Sequence, residues 1–238
     1  MGLRTVQRIV AIFCLGLFTL APASSQQPDT NVVIRGIDAA VAARVNRIAG
    51  YTVTERYAVY RGEDEKHSVA DMVVKTTYRR ETGKSYEVLS SGGSAFIRKF
   101  GLDTILANEK EINLPGNVEH SWITSENYDM SLKSGNIQNF DGRDCLVVSI
   151  TPKRKAPNLI VGTIWVDAKD YTIVRLEGIA SKAPSVFAGA THMMRQYANV
   201  DGFSMATHAR AESTTFLYGK TVVTIDYSSY DIQLRPNS

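Results

Sequence analysis

The chain has 238 residues and a formal net charge of +3. Arg4 and Arg8 fall in a leader that holds no acid, so from residue 26 onward 25 basic side chains face 24 acidic ones. That near-neutral balance leaves no broad electrostatic footprint, and it excludes nucleic acid and a general anionic surface as the expected partner.

The leader has the form of a secretory signal peptide, residues 1–25. Arg4 and Arg8 make a basic n-region, Ile9 to Leu20 is an apolar run of twelve residues, and Ala21-Pro22-Ala23 and Ala23-Ser24-Ser25 offer small residues for cleavage. A run of twelve is too short for a bilayer, which needs roughly 20. No later segment approaches that length, so no transmembrane span is expected after the leader. Residues 26–238 fit a single domain, large enough to bury roughly 70% of its unfolded surface without a staple. Cys14 sits in the leader, which leaves Cys145 alone and excludes an internal disulfide. Cys145 reads as a small buried hydrophobe in a strand.

A first helix is expected from Asp29, Thr30 or Asn31 to about Ile48. Val33, Ile37, Val41, Val45 and Ile48 recur at helical spacing, and Gly50 stands ready to end it. From Tyr51 the period changes to two. Three strands follow, around 51–59, 70–78 and 86–88, with turns at 61–66 and 82–84. Ser90-Ser91-Gly92-Gly93-Ser94 then breaks the pattern. A second helix runs from about Ala95 to Ile112, with Phe96, Ile97, Phe100, Leu102, Ile105 and Leu106 as apolar members and Gly101 as a place to split or kink it.

Beyond Leu114-Pro115-Gly116 strand follows strand. Asp141-Gly142 and Asp201-Gly202 are two-residue hairpin signals. Asp167 to Asp170 joins 160–166 to 172–179, the basic loop Thr151–Pro157 reads as a solvated tip, and Tyr218-Gly219 turns into the last strand. About nine or ten antiparallel strands and two helices result. The expected class is mainly β: a long up-and-down sheet that must curl, with the second helix across its open side. Met72, Tyr86, Trp165, Met193, Met194 and Phe203 are candidates for the inner wall.

Catalytic signatures are absent: no G-x-S-x-G, G-x-G-x-x-G, Walker A, H-E-x-x-H or C-x-x-C occurs. His192 and His208 could face each other across Asp201-Gly202, but two histidines do not make a metal site. Neither a metal, a cofactor nor an enzymatic activity is expected.

Gly162-Thr163-Ile164-Trp165-Val166-Asp167, followed by Asp170-Tyr171-Thr172-Ile173-Val174-Arg175-Leu176-Glu177-Gly178, resembles the outer-membrane lipoprotein-sorting (LolA/LolB-like) superfamily. Further pieces of the resemblance are Tyr86-Glu87-Val88-Leu89-Ser90, Asn127-Tyr128-Asp129, Asp141 to Cys145, Pro184-Ser185 and Thr224 to Tyr230. It spans roughly Ile34 to Ile232. It implies a strongly curved, incomplete β-barrel with an N-terminal helix and a second helix at the open side, working in the periplasm. It also implies an apolar cavity for acyl chains, with lipid or lipidated protein as ligand and an envelope protein as a possible partner. Phe96, Ile97, Phe100, Leu102, Ile105 and Leu106 would form the lid, and Trp165 the wall or base. Carriers of this kind hold the lid with a polar or basic residue near the first helix, for which Arg35 and Arg44 stand in range. The alternative function is a non-enzymatic regulatory or scaffolding module that binds a partner protein.

Overall fold

The computed structural model of the chain describes residues 28–133, 137–182, 188–215 and 219–236. The expected leader, Pro184-Ser185 and Tyr218 lie outside the described residues. The first helix is α1, Thr30–Arg47, capped by the Asp29 carboxylate, which accepts the Asn31 N–H at 2.8 Å. Three strands follow: β1 (Ile48–Arg61), β2 (Ala70–Arg79) and β3 (Gly83–Gly93). The second helix is composite: α2 (Ala95–Ile97), a π turn (Arg98–Leu102) containing Gly101, and α3 (Asp103–Ile112). After a 3-10 turn at Val118–Ser121 come β4 (Tyr128–Leu132), β5 (Gln138–Phe140), β6 (Arg143–Pro152), β7 (Ile160–Asp167) and β8 (Ile173–Ala180). The last three strands are β9 (Ala188–Val200), β10 (Phe203–Thr215) and β11 (Gly219–Leu234).

Both expected two-residue turns are present. Asp141 and Asp201 adopt φ of 52° and 51°, and the glycines after them 75° and 85°, so both central residues are left-handed as a tight hairpin of this hand requires. Among the described residues eleven strands form one antiparallel sheet in the order β3-β2-β1-β11-β10-β9-β8-β7-β6-β4, with β5 also paired to β6. Most neighbours are consecutive in sequence, as an up-and-down sheet demands. The exceptions are β4, which pairs with β6 beyond β5, and the pairing of the first and last strands, from Ile48↔Leu234 to Arg61↔Thr221. That zipper brings the two ends of the chain together and leaves β3 at one free edge and β4, with the short β5 beside it on β6, at the other. β3 and β4 are consecutive in sequence. The gap in the barrel is therefore the place where the chain leaves the sheet to build the composite helix.

The side-chain period of two assigns each residue to a face. One continuous row across the sheet runs Ile164–Leu176–Arg195–Ala209–Ile225–Tyr57–Met72. Both α1 and the composite helix lie on this inner face. Val33 and Ile37 of α1 pack with Val148, Ile164 and Leu176, while Leu102 and Leu106 pack with Tyr57, Met72 and Val74. Each such aliphatic side chain stabilises the fold by about 1.5–3 kcal/mol on full burial. A small third cluster holds Ile48, Phe203 and Met205. Cys145 is buried, in β6.

On the opposite face the charged β1–β2 turn folds across β10 and β11. Arg210 donates to both Glu65 oxygens at 2.5 and 2.8 Å, and Lys220 reaches Glu63 at 3.3 Å. The basic loop is likewise not a free tip. Lys153 donates to the Ser125 carbonyl at 2.8 Å, and Arg154 donates to the carbonyl of His120.

Candidate functional site on the inner face of the open sheet

The composite helix starts at Ser94, whose hydroxyl accepts the Ile97 N–H at 3.4 Å. Within the π turn the extra residue shifts the phase of the helix. Leu102 and Leu106 point into the sheet, and Leu102 is fully buried. Ile97 and Ile105 pack at the margin of the same cluster. Phe96 and Phe100 point the other way. They are 57% and 61% exposed, with ring centroids 4.8 Å apart, and the Lys99 ammonium lies 5.7 Å from the Phe100 ring. The six residues expected in the lid thus belong to one element, but only four of them touch the sheet.

Trp165 is apart from them. Its register partners across the sheet, Arg175, Gln196 and His208, all lie on the helix-free face. Its indole N–H donates to Gln138 at 2.7 Å, and the Arg175 guanidinium lies 5.8 Å from its ring and 5.0 Å from that of Phe140. It lines an outer groove of about 590 Å³ with Arg175, Glu177, Met194 and Arg210. Met194 shares this face, whereas Met72, Tyr86 and Met193 pack inside and Phe203 fills the third cluster. His192 and His208 lie in different rows. His208 binds Asp226 at 2.7 Å, and among the described residues no group of three or more metal-ligating side chains converges.

Between the two apolar clusters the inner face is polar. Lys84, at the start of β3, donates to Glu109 of α3 at 2.9 Å, and Asn113 donates to the same carboxylate at 3.4 Å. This ion pair fastens the C-terminal end of the composite helix to the edge of the sheet. The Lys84 ammonium, with help from Asn113, holds the Glu109 carboxyl down at about 2 against the opposing effect of burial. Burial would lower the pKa of Lys84, but Glu109 beside it outweighs that effect and raises it. Gly83 allows the approach. Its φ is 78°, and a Cβ there would stand 2.6 Å from the Asn113 carbonyl oxygen.

Deeper in, the Tyr57 hydroxyl donates to the fully buried Glu55 carboxylate at 2.5 Å. Arg195 of β9 lies among protein atoms near Tyr197, Tyr227 and Glu109, yet all three of Arg195, Tyr197 and Tyr227 keep partial contact with solvent. Burial works against the charge of Arg195, and these neighbours outweigh it. Two hydroxyls opposite one another on β2 and β3, Thr76 Oγ1 and Tyr86 Oη, are buried without a hydrogen-bond partner. Lys84, Glu109, Arg195 and Tyr227 were not singled out by sequence. Arg195 carried the one available signal, since a charge at an inward position between Met193 and Tyr197 breaks the alternation of its strand. Of the candidates near the first helix, Arg35 is exposed, and Arg44 donates to the Ser204 carbonyl at 3.5 Å rather than to the composite helix.

No protein-family model matches the chain, and no curated protein matches it. Solved structures do. A DUF1329 family protein from Desulfovibrio piger is 16% identical over 84% of this chain and 93% of its own, at a TM-score of 0.43. A Vibrio parahaemolyticus domain ascribed to outer membrane lipoprotein sorting is 14% identical over 84% and 93%, at 0.45. A LolA superfamily protein from Nitrosomonas europaea is 13% identical over 88% and 96%, at 0.44. The chain is similar in outline to these proteins.

Proposed function

We propose that this chain is a periplasmic binding or carrier protein for lipid or lipoprotein acyl chains, which it receives on the inner face beneath the composite helix. One observation carries the reading. The inner face of β1, β2 and β3, beside the gap in the sheet, is covered by a broken helix whose underside is apolar and whose far end is fastened by the ion pair Lys84–Glu109. A cover made this way can lift without unzipping the sheet, because the strands hold one another by their own hydrogen bonds. Acyl chains entering the opened space leave water at about 0.8 kcal/mol per CH2. Opening also separates Leu102 and Leu106 from Tyr57, Met72 and Val74, and the ligand replaces those contacts.

The surface on which Phe96 and Phe100 stand exposed would meet the incoming chain first. The test is native mass spectrometry of the protein from its own envelope fraction, with delipidated protein and added fatty acyl probes alongside. A retained mass matching a lipid or acylated peptide is the expected result. A clean apo mass together with refusal of every acyl probe overturns the reading.

A second reading, a module that binds a partner protein, is favoured by the free edge of β3. Val88 and Leu89 on that edge are each 52% exposed, close in sequence to Phe96 and Phe100. An open strand edge pairs with an extended peptide through main-chain hydrogen bonds. One stoichiometric partner crosslinked to β3, with no lipid retained, would select this reading over the first.

A further inference from the structure

The inner face is not uniformly apolar, and its polar part holds an arginine that no carboxylate pairs. Arg195 sits in the middle of the row of inward side chains, between the cluster under α1 and the cluster under α2 and α3. Among the described residues no carboxylate lies within 4.0 Å of it, whereas the other inner cation, Lys84, is paired. Its near neighbours are phenols, Tyr197 and Tyr227, with Glu109 acting on it from further away. An arginine presents five donors in a planar fork and does not shed its proton, so two phenols leave donors over. Thr76 Oγ1, on a residue with no exposure at all, and Tyr86 Oη are buried and unpartnered on the same face.

We infer that Arg195, with Tyr197 and Tyr227, holds the anionic head of an amphiphile whose apolar chain lies along the clusters on either side. The inference rests on the acyl-binding reading above and narrows its ligand class to amphiphiles that carry a carboxylate or phosphate. Either head matches the guanidinium fork in a two-pronged hydrogen bond. A head at this point puts a chain against either apolar cluster. The Lys84–Glu109 pair keeps the second interior cation neutralised, so Arg195 alone selects the charge.

The experiment uses the delipidated chain at pH 8 and three probes of matched chain length: hexadecanoic acid, hexadecan-1-ol and 1-palmitoyl lysophosphatidic acid. Affinities are read by displacement of a fluorescent acyl probe. At least one anionic probe is expected to bind about tenfold more tightly than the alcohol, the factor that a charge-assisted hydrogen bond supplies. Which of the two does so identifies the head as carboxylate or phosphate. Arg195→Gln is expected to erase the preference while leaving the affinity for the alcohol in place. Tyr227→Phe, which removes one hydroxyl and keeps the ring, is expected to weaken the preference severalfold and serves as the test should Arg195→Gln not fold. Equal binding of the alcohol and both anions overturns the anionic-head inference and leaves the acyl reading standing. So does a preference that survives in Arg195→Gln, or one that Tyr227→Phe leaves undiminished where that variant stands in for it. Failure of all three probes overturns both.

Discussion

Lys84 and Glu109 show how one pair of side chains gives the fold a pH dependence. The Glu109 carboxyl is held at about 2 in the folded chain against an ordinary 4.5, so its contribution is present in full above pH 4.5. It fades as the pH falls from 4.5 towards 2, because protonation removes the attraction to Lys84. Urea denaturation across this range should therefore show stability falling on acidification, and Glu109→Gln should flatten part of that slope. An unchanged slope in the variant would mean that the pair carries none of it. Gly36 of α1 faces the Tyr171 ring so closely that a Cβ there would stand 2.4 Å from it. Gly36→Ala forces the helix away from β7 and β8 and should cost about 1–3 kcal/mol, read as a lower urea midpoint at constant slope.

The composite helix divides into a face that holds and a face that waits. Leu102→Ala removes a fully buried side chain and should cost about 2–5 kcal/mol, whereas Phe100→Glu changes an exposed one and should stay within about 0.5 kcal/mol. Phe100→Glu should nevertheless abolish acyl-probe pickup if the exposed aromatic pair is the entrance. A folded Phe100→Glu protein that still loads at the normal rate would place the entrance elsewhere. Gly101 lies in the π turn with only the Ile97 Cγ2 atom within reach of an added methyl, at 3.6 Å. Gly101→Ala should thus stiffen the segment and raise stability by about 0.5–1 kcal/mol. If the cover must lift to load, the same substitution should slow probe uptake in stopped-flow measurements.

At the scale of the molecule, the pairing of β1 with β11 decides the shape. It places the free edges at β3 and β4 and gives the chain between them the task of bridging the gap. Native-state hydrogen exchange should report this division. Amides of β1, β11 and β10, each paired on both sides, should exchange only through global unfolding. Those of residues 95–112 should exchange faster by local opening. Uniform protection would mean that the cover and the sheet open as one unit, contrary to the proposed loading.

Much of this architecture was legible in local pattern. The helical spacing of Val33, Ile37 and Val41, the alternation from Tyr51 onward, the Asp-Gly hairpins and the split at Gly101 are short-range effects of backbone geometry and side-chain period, and the sequence determined them by itself. The membership of the composite helix was legible too, since Phe96, Ile97, Phe100, Leu102, Ile105 and Leu106 share one helical stretch. Its two faces were not, because a π turn changes the helical phase and a periodicity of 3.6 cannot anticipate it. Trp165 was out of reach for a different reason. A period of two says that Ile164 and Trp165 face opposite ways, but only the position of the helices says which way is in. The ion pair of Lys84 with Glu109 joins residues 25 positions apart, and Arg195 comes under the influence of Tyr227 across β10. Tertiary structure alone decided these meetings, because they depend on how far the sheet curls and on which strands form its edges. Those are properties of the zipper between the two ends of the chain rather than of any local stretch of residues.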